Sequence, residues 1–417
     1  MKKSVLLATA LGLACLGGTS AQATNGDNLM GIGPIARSMG GVGVAAPQDA
    51  ISAVFANPAA MCFSPYCPGS EFNFAGTVFV PTSHARSSST FPPLAVPPSA
   101  GGVQGSGKSE ADPYVIPAIG FSVPVNPTWR FGLAAYGVSG LGVDYRNQTE
   151  LPNPIYTEYQ VMKFAPNLAV MVNQSLSLGA SLHVDYANLD LAAGGSHGYT
   201  AGLQLGGIYK IGDFRLGASY VMAQKVTHER VFDFDANGVL DDLDLEQPQT
   251  LSFGVAYNPD PVFLVEVDAK WLNWSDADGY SDFDWSDQWV FALGVQYKPI
   301  DKLSLRAGVN YGENPVNEHQ GWNALAAAPP VQGLNVFGGQ FAYEYFRLIG
   351  FPAVVETHIG LGIGYEVTEA LSLNLGYTHA FENTVSETGY FGGPPADVTL
   401  ESDLAEDSYE FSVSWRF

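Results

Sequence analysis

Apolar and polar residues alternate along several segments of this chain, most regularly near its C-terminus. In LSLRAGVNY, residues 303–311, apolar side chains mostly occupy the odd positions and polar side chains or glycine the even ones. The last ten residues, SYEFSVSWRF, repeat the pattern with aromatic side chains. Because successive side chains of a β-strand point to opposite faces, these segments are predicted to be strands. A soluble β-sandwich would show the same alternation, so the connections must decide the environment.

The composition and the connections favour a membrane barrel. Charged residues are only 14% and aromatic residues 12% of the 417-residue chain, yet no apolar run is long enough for a spanning helix. Short turns such as KIGD near residue 212 alternate with long polar junctions such as 82–111 and 312–355. This asymmetry is typical of outer-membrane barrels, which have short periplasmic turns and long extracellular loops. We predict an all-β transmembrane fold, an antiparallel outer-membrane β-barrel of about 14 strands.

The two ends of the chain indicate export and membrane insertion. Residues 1–23 carry two lysines, an apolar run and a small-residue AQA end, which predicts a secretory signal peptide. A terminal aromatic residue, here Phe417, is common in proteins inserted by the outer-membrane assembly machinery. The expected partners are therefore that machinery, outer-membrane lipid and lipopolysaccharide, and we expect a monomer. The net charge of −23 disfavours binding to nucleic acid.

Residues 24–69 do not alternate and are rich in glycine and alanine, with a predicted short helix from Pro47 to Phe55. A segment of this length ahead of a wide barrel is a candidate plug, because the lumen would otherwise hold water. RSMGGVGVA and DAISAVFANPAAM, with VDAKWLNWSD from Val267, resemble the FadL family of outer-membrane transporters for long-chain fatty acids and other hydrophobic compounds. The similarity extends over nearly the whole chain after residue 23.

The resemblance implies a hatch over residues 24–69 in the lumen of a barrel over residues 70–417. It also implies passive import of a hydrophobic small molecule, such as a fatty acid or an aromatic or aliphatic hydrocarbon. The molecule would be held in a lumen pocket against the hatch and released sideways into the membrane. A general diffusion porin and a structural or adhesion barrel are the alternatives.

Two features are predicted to serve this path. Pro58 biases Asn57 towards an extended backbone, which leaves the Asn57 amide free to bond barrel carbonyls, so the triplet ending at Ala59 is predicted to couple hatch and wall. Lateral release requires a defect in the wall, and interior glycines mark bulges and bends. The candidate glycines of the third strand are Gly137, Gly140 and Gly142. Alternatively, these glycines only make room for the hatch.

Inward-facing charges suggest a lumen ligand site. Lys270 and Arg306 are candidates to receive the carboxylate of a fatty acid. Glu266 and Asp268 are interleaved with them, so a mutual ion-pair ladder that braces the lumen is the alternative.

Residues 334–355, LNVFGGQFAYEYFRLIGFPAVV, are too apolar for a solvated loop and predict an outer capture groove. The candidate ligand contacts are Phe337, Phe341, Tyr345 and Phe346, with Arg347 as a carboxylate partner. The alternating QFAYEYF stretch leaves open a barrel strand that extends beyond the membrane.

The stretch DFDANGVLDDLD, residues 233–244, matches the spacing of a calcium-binding loop, although strands rather than helices are predicted on either side. We predict one structural Ca²⁺, and an acidic, solvated hairpin tip is the alternative. The predicted ligands are Asp233, Asp235, Asn237, the Val239 carbonyl, Asp241 and Asp244.

The chain also contains a close pair of cysteines but no recognisable catalytic motif. Cys62 and Cys67 predict a small-loop disulfide in an exported protein, with two free buried thiols as the alternative. The histidines are scattered and no G-x-S-x-G motif is present, so we expect neither an enzyme nor a catalytic cofactor.

Overall fold

A computed structural model describes residues 25–62, 69–89, 103–391 and 397–417. Fourteen antiparallel strands form a closed barrel in which each strand pairs with the next barrel strand along the chain, which confirms the predicted fold class. These strands are β1 (Glu71–Ser89), β3 (Tyr114–Pro124), β4 (Trp129–Asp144), β5 (Tyr156–Asn173), β6 (Leu176–Asp190), β7 (Ser196–Ile211), β8 (Phe214–Val221), β11 (Thr250–Asp260), β12 (Phe263–Leu272), β13 (Gln288–Ile300), β14 (Leu303–Gly312), β16 (Thr357–Glu366), β17 (Leu371–Tyr390) and β18 (Val398–Arg416).

The first and last strands close the barrel. β1 pairs with β18 along its whole length, from Glu71 opposite Arg416 to Ser89 opposite Val398. We call this pairing the closing ladder.

The wall alternates as the sequence predicts. In β13, Trp289, Phe291 and Leu293 are exposed on the outer surface, whereas Val290 and Ala292 between them are buried. Aromatic side chains at the short turns are also exposed on the outside. Membrane lipid therefore meets an apolar outer surface. Among the described residues, no helix has the length and apolar character needed to cross a membrane.

The segment before β1 packs inside the barrel, and residues 25–62 of it are described. It contains α1 (Gly33–Ser38), α2 (Ala50–Ala56) and a 3₁₀ turn (Pro58–Cys62). The α2 helix begins three residues later than predicted, because the Asp49 side chain accepts the Ser52 N–H (2.8 Å) and caps it. We call residues 25–62 the hatch.

Smaller elements cover the extracellular end of the barrel. They are β2 (Val103–Lys108), the hairpin of β9 (Gln224–Phe232) and β10 (Asp241–Gln247), a 3₁₀ turn (Trp274–Asp276), β15 (Gln320–Asn323), α3 (Gly339–Tyr345) and a π turn (Phe346–Gly350). Trp274, Tyr280 and Trp285 form an aromatic cluster beneath them, with ring centroids 4.7–5.1 Å apart.

Candidate functional site

The Asn57 side chain joins the hatch to the barrel wall. Its amide donates to the carbonyl oxygens of Val44 (2.7 Å) in the hatch, Gly207 (3.2 Å) in β7 and Ala218 (3.2 Å) in β8. The Asn57 backbone is extended, with φ −157°. One buried side chain therefore crosslinks the turn after α2 to two adjacent wall strands.

The next two residues of the hatch lie against wall glycines. A Cβ on Gly206 would stand 2.1 Å from the Asn57 Oδ1 atom, and one on Gly179 would stand 2.4 Å from the Ala59 nitrogen and from the Pro58 carbonyl carbon. A side chain at either wall position would clash with the hatch, with the Asn57 side chain at Gly206 and with the backbone of Pro58 and Ala59 at Gly179.

Two carboxylates of β12 bind the hatch backbone. Glu266 and Asp268 together accept four consecutive N–H groups from residues 43–46, at distances of 2.7–3.1 Å. Both side chains are fully buried. Within the described ranges, no ion pair within 4.0 Å joins either acid to Lys270 or Arg306. The alternative of a mutual ion-pair ladder is therefore wrong, because the acids hold the hatch instead.

The two candidate carboxylate receptors of the lumen lie apart. Lys270 Nζ donates to the hatch carbonyls of Met30 (3.0 Å) and Gly41 (3.2 Å) and borders a pocket inside the barrel. Arg306 borders a different, polar recess at the end of the barrel that carries the short turns. The structure therefore does not bring the two cations into one ligand site.

The cavity between hatch and wall, which we call the inner pocket, has a volume of about 90 Å³. One side of it is apolar and the other polar. Its apolar lining includes Leu29, Val44, Phe55, Tyr136, Val138, Val221 and Leu272. Its polar lining includes Lys163, His183, Gln204, Gln224, Gln247 and Lys270.

Lys163 is a functional candidate that the sequence reasoning missed. Its ammonium lies 3.4 Å from Asp185 and 3.1 Å from both His183 and Gln224, and its side chain is only 5% exposed. The available signal was that Lys163 is the one basic residue in YTEYQVMKFAPNLAVMVN. A lone inward lysine in a largely apolar strand indicates a buried partner.

The wall is discontinuous between β3 and β4. Their pairing runs from Pro124 opposite Arg130 only to Ala118 opposite Tyr136, although β4 continues to Asp144 on its other edge, against β5. The register of β4 with β5 shifts between Gly137 and Ser139, which leaves the intervening residue as a bulge. Gly140 and Gly142 follow in the part of β4 that lacks β3 as a partner.

The start of the hatch covers this free edge of β4. Leu29 donates its N–H to the Val138 carbonyl (3.0 Å), and Gly140 donates its N–H to the Asp27 carbonyl (3.0 Å). Asn28 forms an isolated antiparallel bridge with Ser139. We call residues 25–29 the hatch tail. It replaces β3 where the wall pairing ends.

A side-chain contact links the hatch tail to the extracellular cover. The Tyr280 hydroxyl donates a short hydrogen bond to Asp27, whose side chain is 1% exposed. Burial raises the pKa of Asp27 to about 7, against the opposing effect of that hydrogen bond.

A groove of about 290 Å³ lies at the extracellular end, and we call it the outer groove. Of the predicted residues, Phe337, Tyr345 and Phe346 line it. Phe341 is not part of the lining and packs against Tyr345 in a tilted arrangement, with ring centroids 5.8 Å apart. The segment forms α3 and the π turn, so the alternative of an extended barrel strand is wrong.

Arg347 does not face the outer groove, and its predicted role as a carboxylate partner is wrong. The guanidinium is fully buried and pairs with Glu344 (2.9 Å) and, through a shorter contact, with Glu387. His319 bridges Glu344 and Asp284, 2.8 Å from each, and the hydrogen bond to Glu344 raises the pKa of His319. We call these five side chains the loop ion network, because they join the β12–β13 and β14–β16 connections to the extracellular end of β17.

The acidic loop follows part of the predicted calcium pattern. Carboxylate oxygens of Asp233, Asp235 and Asp241 lie within 4.8 Å of one another. The Asn237 amide donates to Asp235 (3.0 Å), and its side-chain oxygen accepts the N–H of Val239 (2.8 Å). This arrangement leaves calcium binding a prediction.

The prediction that Asp244 is a calcium ligand is wrong. Its carboxylate pairs with Lys225 (3.2 Å) and accepts a hydrogen bond from Thr227 (2.5 Å), both on β9. Asp244 lies within β10, so strand pairing sets its neighbours and keeps it out of the group around Asp233.

The predicted signal peptide, Cys67 and the side chain of Cys62 lie outside the described part of the chain, so the disulfide stays a prediction.

Comparisons with known proteins agree with this geometry. Residues 14–229 and 198–322 match the family model described as outer membrane protein transport protein (OMPP1/FadL/TodX). The toluene transporter TodX of Pseudomonas putida is similar in structure, with a TM-score of 0.63, 19% identity, and coverage of 94% of this chain and 99% of TodX. A FadL homologue of Pseudomonas aeruginosa has a TM-score of 0.62 and 15% identity, and the match covers 96% of this chain and 100% of the homologue. The toluene transporter TbuX of Ralstonia pickettii has a TM-score of 0.59 and 17% identity, and the match covers 94% of this chain and 99% of TbuX. No curated protein matches the sequence.

A closed barrel with its own N-terminal segment packed in the lumen defines a plugged outer-membrane transport protein. The chain belongs to the OMPP1/FadL/TodX family of outer-membrane transport proteins. This assignment confirms the family resemblance and the bacterial outer-membrane location predicted from the sequence.

Proposed function

We propose that this protein imports small hydrophobic molecules passively, from the outer groove to the inner pocket and then sideways into the membrane. One observation carries the proposal: Val138 and Leu29 line the inner pocket and also meet where β4 lacks β3 as a partner. A molecule in the pocket is therefore next to the discontinuity in the wall. An apolar molecule that reaches the bilayer there avoids periplasmic water.

The hatch tail is proposed to be the barrier on this path. The two backbone hydrogen bonds of the Asn28–Ser139 bridge join residues 27–29 to β4 in the described structure, and the Asp27 side chain adds its hydrogen bond with Tyr280. Each such bond contributes on the order of 1 kcal/mol, so thermal displacement of the tail is accessible. The rest of the hatch is held more firmly by Asn57, Glu266 and Asp268, and it closes the lumen towards the periplasm.

A reversible crosslink tests this path. Asn28→Cys with Ser139→Cys joins two residues opposed in an antiparallel bridge, whose Cα atoms are about 4.5–5.5 Å apart, a distance that suits a disulfide. Uptake of labelled toluene should fall to background after oxidation and recover after reduction. The two single-cysteine variants are matched controls, and peptide mapping verifies the bond. Full uptake through the oxidised protein would contradict lateral release past the tail.

Two other functions have distinct signatures. A diffusion porin would give steady, large open-channel currents in a planar bilayer, whereas a plugged transporter would not. A structural or adhesion barrel would leave uptake unchanged in a deletion strain.

We propose that the protein is a monomer without enzymatic activity, with a hatch domain over residues 24–69 and a barrel domain over residues 70–417. We propose that the outer-membrane machinery assembles it and that it contacts lipid and lipopolysaccharide.

A neutral substrate is favoured over a fatty acid. Both pocket lysines already have partners, because Lys163 pairs with Asp185 and Lys270 donates to hatch carbonyls. A fatty-acid carboxylate would have to displace one of these contacts. Toluene uptake should therefore be saturable. Lys270→Met should not lower the uptake of oleate more than the uptake of toluene. Efficient oleate uptake that Lys270→Met abolishes would show instead that the lysine receives a carboxylate.

A further inference from the structure

The recess that contains Arg306 lies far from the substrate path proposed above. It has a volume of about 100 Å³ and lies among strand ends next to the short turns, with the hatch on one side. Arg306, Lys298 and Arg416 all line it, and Glu366 is the one acid in the lining. A concentration of positive charge is unusual in a chain of net charge −23.

Arg306 is buried without a carboxylate in direct contact, and the charge of Asp49 in the hatch acts on it from further away. It is 8% exposed, and its guanidinium donates to two neutral amide oxygens, Gln296 (2.7 Å) and Asn374 (3.0 Å). Among the described residues, no carboxylate lies within 4.0 Å of it. Burying an unpaired cation is costly, and a planar guanidinium with remaining donors suits a carboxylate or phosphate group.

The surrounding wall makes room for the guanidinium and leaves the neighbouring cations loosely held. A Cβ on Gly364 would stand 2.4 Å from Asn374 Oδ1 and 2.8 Å from Arg306 Nη1, so a side chain at this position would force both groups to move. Lys298 is 3.9 Å from Glu366, a long ion pair, and Arg416 reaches Glu71 at 3.1 Å through Nε. Donors of all three cations therefore remain for a shared ligand.

We propose that this recess is a binding site for a small oxyanion, a carboxylate or phosphate group, that enters from the periplasm. The anion would bridge wall and hatch, because Gln48 of the hatch lines the recess and accepts a hydrogen bond from Gln296 (3.2 Å). Binding would thus stabilise the seated hatch from the side opposite the outer groove. The inference stands whether or not the substrate path is as proposed.

The experiment uses the full chain in neutral detergent and inorganic phosphate at constant ionic strength, with chloride as the reference anion. Phosphate should raise the thermal unfolding temperature saturably in the wild type. Arg306→Gln should remove the effect, and Arg306→Lys should retain part of it. Lys302→Gln, at an exposed turn outside the recess, is the matched control and should behave as wild type.

A second variant and two further ligands extend the test. If Arg306→Gln fails to fold, Gly364→Ala displaces the guanidinium without removing its charge and should weaken the phosphate effect. Acetate tests the carboxylate group, and phosphatidylglycerol vesicles test whether a lipid headgroup is the source, in place of a free anion. A phosphate response that is equal in wild type, Arg306→Gln and Gly364→Ala would overturn the proposal, as would no saturable response to phosphate or acetate in the wild type.

Discussion

The outer groove and the inner pocket are built from different chemistry. Aromatic side chains make about half of the outer groove, whereas the inner pocket has one apolar side and one side of lysine, histidine and glutamine. We expect the groove to capture molecules through apolar contact, which is largely non-directional. The inner pocket also has polar groups in fixed geometry, so we expect it to discriminate between substrates. Capture and selection are therefore expected to respond to different mutations.

The largest expected effect is at the inner pocket. Asp185→Ala leaves Lys163 buried without its acid, and removal of one partner of a buried pair costs about 3–5 kcal/mol. The variant should unfold at a much lower temperature or urea concentration than wild type. The double variant with Lys163→Met should recover most of the loss. If the single variant is as stable as wild type, the pair does not hold the pocket.

Loss of the hatch anchor should have the next largest effect. Asn57→Ala removes the amide donor of three hydrogen bonds, one of them fully buried, at a cost of about 1–3 kcal/mol. We expect impaired uptake with normal barrel assembly, measured by heat-modifiable mobility on gels. Asn57→Asp, which keeps the shape but not the donors, should behave similarly. Normal uptake by Asn57→Ala would contradict the anchor.

Damage to the outer groove should lower capture and leave stability close to wild type. Phe346→Ala removes a ring that packs on Phe283 at 5.5 Å. The substrate concentration for half-maximal uptake should rise about tenfold, equivalent to about 1.4 kcal/mol of lost contact. Phe381→Ala, on the exposed outer wall, is the control. A changed maximal rate with unchanged half-saturation would show that the groove does not act in capture.

A smaller effect is expected from pH at the loop ion network. The pKa of His319 is raised in the folded protein, so protonated His319 stabilises the folded loops through its contacts with Glu344 and Asp284. This stabilisation is fully present below the pKa of an unfolded histidine and is lost as the pH rises through the pKa of His319 in the folded protein. Uptake and protease resistance of the extracellular loops should fall over that interval. His319→Gln should abolish the dependence. A pH profile unchanged by the substitution would exclude His319 as its source.

Calcium should have the smallest effect. Asp233 lines the outer groove and belongs to the acidic loop, so a bound ion would order one rim of the groove. Calorimetry should show heat at millimolar calcium in the wild type and none in Asp233→Ala with Asp235→Ala. Asp244→Asn should bind as wild type does, because its carboxylate pairs with Lys225. Absence of heat in the wild type means that the loop is only an acidic tip.

The barrel was predictable because alternation and turn length are local properties of the chain. The Asn57 environment could be foreseen in part, since Pro58 restricts the backbone before it. The pairing of Arg347 with Glu387 could not, because Glu387 lies on β17, 40 residues further along the chain, although the other acid, Glu344, is only three residues away. The same holds for Lys163, whose partner Asp185 lies on the next strand. Polar groups buried inside a barrel find partners across strands, and spacing along one strand does not reveal them.

The closing ladder has a consequence for assembly. It joins the first strand to the last, so the wall cannot be complete until the final residues of the chain have been delivered. The hatch precedes the first strand and yet touches the last, because Arg37 donates to Glu410 (2.7 Å) and Ser408 (2.8 Å) of β18. We therefore expect the hatch to enter the lumen before the barrel closes, so that the last strand pairs with β1 and contacts the hatch together. In a chain without its hatch, the barrel should consequently close more slowly, because β18 would lack its contacts with Arg37.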